Sequence, residues 1–128
     1  MNYLAKLLYL GGDVEEEALL RIRDMEITCF VALCLFNIEE GQSYEVDLNA
    51  QIFDEYLVRE LDKDSSPGIV RVGRSFSYII KGRLTEKCLD VGGIRFFDDV
   101  LLSEFGHLQG KMIEWKVDRI DAIFLSEY

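Results

Sequence analysis

Residues Ser43 to Phe53 read Ser-Tyr-Glu-Val-Asp-Leu-Asn-Ala-Gln-Ile-Phe. The polar set Ser43, Glu45, Asp47, Asn49 and Gln51 interleaves with Tyr44, Val46, Leu48, Ala50 and Ile52, the period-two pattern of a strand with one buried and one wet face. Upstream, Ile27 to Phe36 is an almost unbroken apolar run, which predicts a central strand buried on both faces. Glu39-Glu40-Gly41-Gln42 between them is polar, contains glycine and has the length of a hairpin connection.

Downstream the same logic repeats. Phe76, Tyr78, Ile80, Gly82 and Leu84 alternate with Ser77, Ile79, Lys81, Arg83 and Thr85, predicting a strand that starts near Phe76 and continues toward Val91. Gly92-Gly93 then suits a two-residue turn with positive φ at both positions, which sets Asp90 opposite Arg95, Leu89 opposite Phe96 and Cys88 opposite Phe97. The last clear strand is Met112 to Val117. Beyond it the buried parity changes from odd (Ile113, Trp115, Val117) to even (Ile120, Ala122, Phe124), the trace of a bulge or sharp bend at Asp118-Arg119. Asp98-Asp99 reads as the cap of a short helix over Val100 to Leu108, and Asp54 to Leu61 as a second helical piece. Residues Asp13 to Met25 suit either a helix capped by Asp13 or a strand in a hairpin with Tyr3 to Leu10 across Gly11-Gly12; the strand reading is preferred. Asp62 to Gly68, with the only proline, is the clearest loop.

Six or so strands joined by short turns and one or two helical connections make an all-β or β-rich α+β fold, read as one domain over 1–128 in which a small curved sheet closes into a barrel. Over residues 17 to 125 the pattern resembles the five-stranded barrels of the oligonucleotide- and oligosaccharide-binding (OB) type, with an extra N-terminal hairpin. The likeness is one of architecture.

The 24 carboxylates against 14 Lys and Arg give a net charge of −10. Residues 1–64 hold 15 acidic and 5 basic groups and residues 65–128 hold 9 of each, so all the excess lies in the first half. That balance argues against duplex nucleic acid and anionic membranes, both of which are bound through Lys and Arg. No apolar run is long enough to span a bilayer, and the first ten residues lack a basic region and a cleavage site. Cys29, Cys34 and Cys88 are odd in number and form no C-x-x-C pair; Cys29 and Cys34, five apart on one strand, are expected on opposite faces as free thiols. The chain therefore reads as soluble and cytoplasmic.

One histidine, His107, and three scattered cysteines do not supply a zinc set, so no metal and no cofactor is expected. Asp90, Asp98, Asp99, Asp118 and Asp121 are the carboxylates available for acid-base work or Mg²⁺, which makes a small hydrolase the third reading. Two constellations rank above it. Glu39, Glu40, Glu45, Asp47, Asp54 and Glu55, with Tyr44 and Tyr56 nearby, suit a non-enzymatic module that holds a basic protein partner, as immunity proteins and antitoxins do. Arg71, Arg74, Lys81 and Arg83 offer the alternative, a face for single-stranded nucleic acid or a small ligand. Phe76 and Tyr78 lie on the opposite strand face from Lys81 and Arg83, which weakens a stacking platform there.

Overall fold

A computed structural model describes residues 2–12 and 14–127, and Asp13, named above as a possible helix cap, lies outside them. The fold is β-rich, as expected. The strands are β1 (Asn2–Leu10), β2 (Glu17–Ile22), β3 (Met25–Cys34), β4 (Ser43–Gln51), β5 (Leu57–Glu60), β6 (Gly68–Arg71), β7 (Tyr78–Leu84), β8 (Leu89–Val91), β9 (Ile94–Phe96), β10 (Met112–Val117) and β11 (Arg119–Glu127). One short helix, α1 (Asp99–Glu104), and a 3-10 turn at Gly106–Leu108 precede β10. Contacts divide the chain into two compact units, Met1–Asn49 with Arg119–Tyr128, and Ala50–Asp118.

The first unit is a closed barrel in the order β1-β2-β3-β11-β4, with β1 antiparallel to both β2 and β4 and with β11 parallel to β3. This is the strand order of an OB-like barrel. Its interior takes the alternate residues Ala5 and Leu7, Ala18, Leu20 and Ile22, Ile27 and Cys29, Val46, and Ile120 and Ala122. Tyr44 is buried among them and meets the Phe124 ring edge-on at 5.6 Å.

Four expectations about the barrel are corrected here. The stretch from Tyr3 to Leu10 is no appendage: β1 closes the ring, with Tyr3 opposite Val46 and Ala5 opposite Tyr44. Glu39 to Gln42 is not a hairpin, because β3 pairs with β2 and β11 while β4 pairs with β1. The loop is tied instead to β1, by Leu7 N–H donating to the Gln42 carbonyl and Gly41 N–H to the Leu7 carbonyl. Finally, β3 is buried on both faces only from Ile27 to Cys29, and Leu33 and Leu35 are exposed. Register against β11 steps from Val31 to Leu33, so Ala32 is an extra residue. That bulge restores parity and puts Cys34, opposite buried Phe124, on the same inner face as Cys29. What separates the two thiols is distance along the strand, roughly 15 Å at about 3.3 Å per residue.

The second unit is a six-stranded sheet, β5-β10-β7-β8-β9, with β6 also on β7. Tyr78, Ile80 and Leu84, Leu89 and Val91, Ile94 and Phe96, and Ile113, Trp115 and Val117 bury one face. Leu101 of α1 is buried as well, and the Asp98 carboxylate caps the helix by accepting Leu101 N–H at 2.9 Å. The segment Asp54 to Leu61 holds β5, a strand and not a helix, paired with β10 from Leu57 opposite Lys116 to Glu60 opposite Ile113. The strand from Phe76 does not run to Val91. It ends at Leu84, where Thr85 Oγ1 accepts the N–H groups of Lys87 and Cys88 and turns the chain back as β8. At this crossing a Cβ on Gly82 would stand 2.5 Å from the Asp90 carbonyl oxygen, so only glycine lets β7 and β8 approach.

The Gly92-Gly93 hairpin forms in the expected register, Asp90 opposite Arg95 and Leu89 opposite Phe96, with φ of 59° and 99° at the two glycines. The parity change at Asp118-Arg119 has a topological cause: the chain passes there from the sheet into a strand of the barrel. Asp118 fastens this point, its N–H donating to the Gln51 carbonyl and its carboxylate accepting Phe53 N–H. Among the described residues, no helix is long and apolar enough to cross a membrane.

Replacing Gly92 and Gly93 together by Val is expected to cost about 1–3 kcal/mol at each position, because β-branched residues resist positive φ. The melting temperature should fall by several degrees, and an unchanged value would place the turn elsewhere. Cys29 and Cys88 are buried and Cys34 is half-buried, all as free thiols. A thiol reagent should therefore react slowly with the native protein and count three equivalents after unfolding.

Candidate functional site

The unit boundary sharpens the charge asymmetry. The barrel unit carries 12 acidic and 4 basic residues, a balance of −8, whereas the sheet unit carries 12 and 10, a balance of −2. Alternation on β4 points Tyr44, Val46 and Leu48 inward and Glu45 and Asp47 outward. Glu45 lies opposite Leu4 of β1, accepts the Asn2 side-chain amide at 2.7 Å and receives the Ser126 hydroxyl of β11 at 3.5 Å. Asp47 lies opposite Asn2 and accepts Leu48 N–H. Glu40 accepts Leu10 N–H at 3.1 Å, so the loop before β4 continues the acidic line to the far end of β1, with Glu39 exposed beside it.

Four of the six expected acids thus share one barrel wall. Asp54 and Glu55 are exposed residues of the sheet unit, ahead of β5. The aromatics expected beside the acids have other duties. Tyr44 is buried and its hydroxyl accepts Glu39 N–H, while Tyr56 belongs to the sheet unit. Sequence reasoning missed the apolar members of the wall. Leu4 on β1 is 50% exposed, Leu125 on β11 is 44% exposed, and β11 lies between β3 and β4 with Ile123 opposite exposed Leu33. The outer surface of β3, β11, β4 and β1 therefore sets two carboxylates among exposed leucines. Only the odd-even alternation with buried Tyr3, Ala5 and Leu7 could have marked Leu4 as outward.

The basic set is not gathered. Arg71 lies opposite Tyr78, and its guanidinium is spent on the Ser75 and Arg74 carbonyls of its own turn, where Arg74 is exposed. Lys81 is mid-strand opposite Glu114, which pairs with Arg59 at 3.2 Å. Arg83, five residues along β7 from Tyr78 and so roughly 17 Å away, donates to the Gly110 carbonyl at 2.6 Å.

Four of the five aspartates considered for catalysis serve as caps and clamps, and the fifth, Asp99, is exposed in the first turn of α1. Asp90 accepts Gly93 N–H, Asp98 caps α1, Asp118 holds Phe53, and Asp121 makes a two-bond pair with Arg119, whose guanidinium lies 4.0 Å over the Phe30 ring. Among the described residues no three His, Cys, Asp or Glu side chains are close enough to hold a metal ion. His107 is exposed, at the end of a ladder of rings that runs from buried Trp115 through Tyr56 and Phe105. Both Asp98 oxygens accept the Tyr56 hydroxyl, at 2.9 and 3.0 Å. Burial, that hydrogen bond, and the charges of Asp98 and Glu104 push the Tyr56 phenol up to about 12.

A family model described as "Uncharacterised conserved protein UCP019853" matches residues 1–125. The chain belongs to this family. No curated protein and no solved structure matches it.

Folded Tyr56 keeps its proton to about pH 12, whereas the unfolded chain releases it near 10. The contribution of Tyr56 is thus fully present below pH 10 and is lost as the pH climbs from 10 through 12. Urea midpoints measured across that range should fall more steeply for the native sequence than for Tyr56→Phe; identical slopes would show that the Asp98 contact does not hold the proton.

Proposed function

We propose that the chain is a soluble, cytoplasmic, non-enzymatic module whose acidic barrel wall docks a basic protein, in the manner of an immunity protein or antitoxin. One observation carries the reading: on a barrel with a charge balance of −8, Glu45 and Asp47 stand on a rigid strand beside exposed Leu4 and Leu125. Apolar area supplies the desolvated contact of a protein interface, and surrounding charge steers the partner and sets its register. A solubility device needs charge but no exposed leucines among it. The three free thiols support a reducing compartment. The alternative, single-stranded nucleic acid on Arg71, Arg74, Lys81 and Arg83, is the weaker reading because Arg71 and Arg83 are engaged by backbone carbonyls and the four are spread over β6, the turn after it and β7.

The test is binding to a panel of basic nuclease domains, with single-stranded DNA and RNA as controls. Glu45→Lys with Asp47→Lys should slow association with the protein partner about tenfold or more. Added salt should weaken native binding, since the screening length is about 8 Å at physiological ionic strength. Leu4→Ser should speed dissociation. Oligonucleotide binding that disappears only when the four basic residues become Ala, with no protein in the panel bound, would reverse the ranking.

A further inference from the structure

The sheet unit holds a concave site apart from the acidic wall. Pairing of β7 with β8 and of β8 with β9 sets Arg83, Asp90 and Arg95 in one cross-strand row. Along β9, Ile94 and Phe96 are buried, so Arg95 and the next outward residue, Phe97, lie on the same side, and Phe97 is 55% exposed. A hollow of about 320 Å³ opens there, lined by Thr85, Lys87, Cys88, Asp90, Arg95 and Phe97. A second, of about 350 Å³, shares Thr85 and Asp90 with it and adds Arg83. The neighbouring cation and aromatic that β7 lacks are thus present at the end of β9.

We propose that this hollow binds a 5′-nucleotide, with the phosphate on Lys87 and Arg95, the base stacked on Phe97, and an exocyclic amino group of the base donating to Asp90. Each contact follows from side-chain chemistry. Arg and Lys are the phosphate donors of proteins, and the five N–H donors of a guanidinium leave room for phosphate beside the contact that Arg95 already makes. An exposed phenyl ring stacks on any base. A carboxylate accepts from the amino groups of adenine, cytosine and guanine, whereas uracil offers it only the single ring N3–H, flanked by two carbonyl oxygens that repel it. Asp90 is held for this role by the turn below it, since its Oδ1 accepts Gly93 N–H at 2.9 Å and the close approach at Gly82 fixes β8. A carboxylate has room for several donors, so the turn contact does not exhaust it. Asp90 also sets the specificity: it repels a bare anion and tolerates one whose base reaches it. The inference is independent of the acidic wall, and no residue is shared between the two sites.

The experiment is calorimetric and NMR titration of the full chain with AMP, CMP, UMP and inorganic phosphate. AMP and CMP should saturate one site, shifting the backbone amides of Thr85, Lys87 and Phe97, with UMP and phosphate each about tenfold weaker. Lys87→Ala with Arg95→Ala should weaken AMP about tenfold, the loss expected for a charge-assisted contact. Phe97→Ala should narrow the advantage of AMP over phosphate, leaving the part that Asp90 supplies. Lys87 and Phe97 are exposed, so Lys87→Ala alone and Phe97→Ala keep the fold, and the shift map on the native protein stands without any variant. Absence of saturable AMP binding at millimolar concentration, shifts that map away from the β8–β9 hairpin, or AMP binding unchanged in the double variant would overturn the proposal, as would UMP or phosphate binding as tightly as AMP.

Discussion

The parallel pairing of β11 with β3 is the constraint on which the barrel depends. Antiparallel neighbours can be joined by a tight turn, but a parallel pair needs a long crossover, usually a helix. Here everything from the end of β3 to Asp118 intervenes: a loop, β4 and the whole second unit. Only with β11 in that slot does β4 have a neighbour on either side, β1 and β11, and only then do Glu45 and Leu4 face outward on a closed wall. The hydrogen bonds of Asp118 to Gln51 and Phe53 hold together the two chain segments where the second unit begins and ends.

Local features were legible because local chemistry determines them. The alternation on β4, the paired glycines after β8, the strand around Trp115 and the Asp98 cap are each decided within about ten residues. What escaped was pairing. Glu39 to Gln42 has the composition of a hairpin loop and joins strands that are not neighbours, since the competition between β1 and β3 for β4 is settled across the barrel. The two-unit division escaped for the same reason: the boundary between Asn49 and Ala50 falls inside an uninterrupted alternating strand, with no proline, glycine or charge run to mark it. Asp54 to Leu61 is too short for its period to distinguish a helical turn from an edge strand, and its pairing partner, β10, lies more than fifty residues away.

The candidate sites follow the same division. Glu45 and Asp47 were placed on a wet face by alternation, and that placement holds; Asp54 and Glu55 were grouped with them by nearness in sequence and belong to the sheet unit. Leu4, Leu33 and Leu125 are indistinguishable from core residues in apolar strings until the strand faces are known. The basic residues show the reverse: the four on and before β7 form a cluster in sequence and a dispersed set in space, while Arg95 on β9 and Phe97 just after it share a hollow with Lys87.

The most direct measurement of the account is the set of interstrand nuclear Overhauser contacts among β1, β3, β4 and β11. A closed barrel predicts parallel-type contacts that link Phe30 with Asp121 and Cys34 with Phe124, together with antiparallel contacts that link Tyr3 with Val46 and Ala5 with Tyr44. Contacts that pair β3 with β4 in an antiparallel hairpin, with none between β3 and β11, would contradict the barrel and with it the acidic wall.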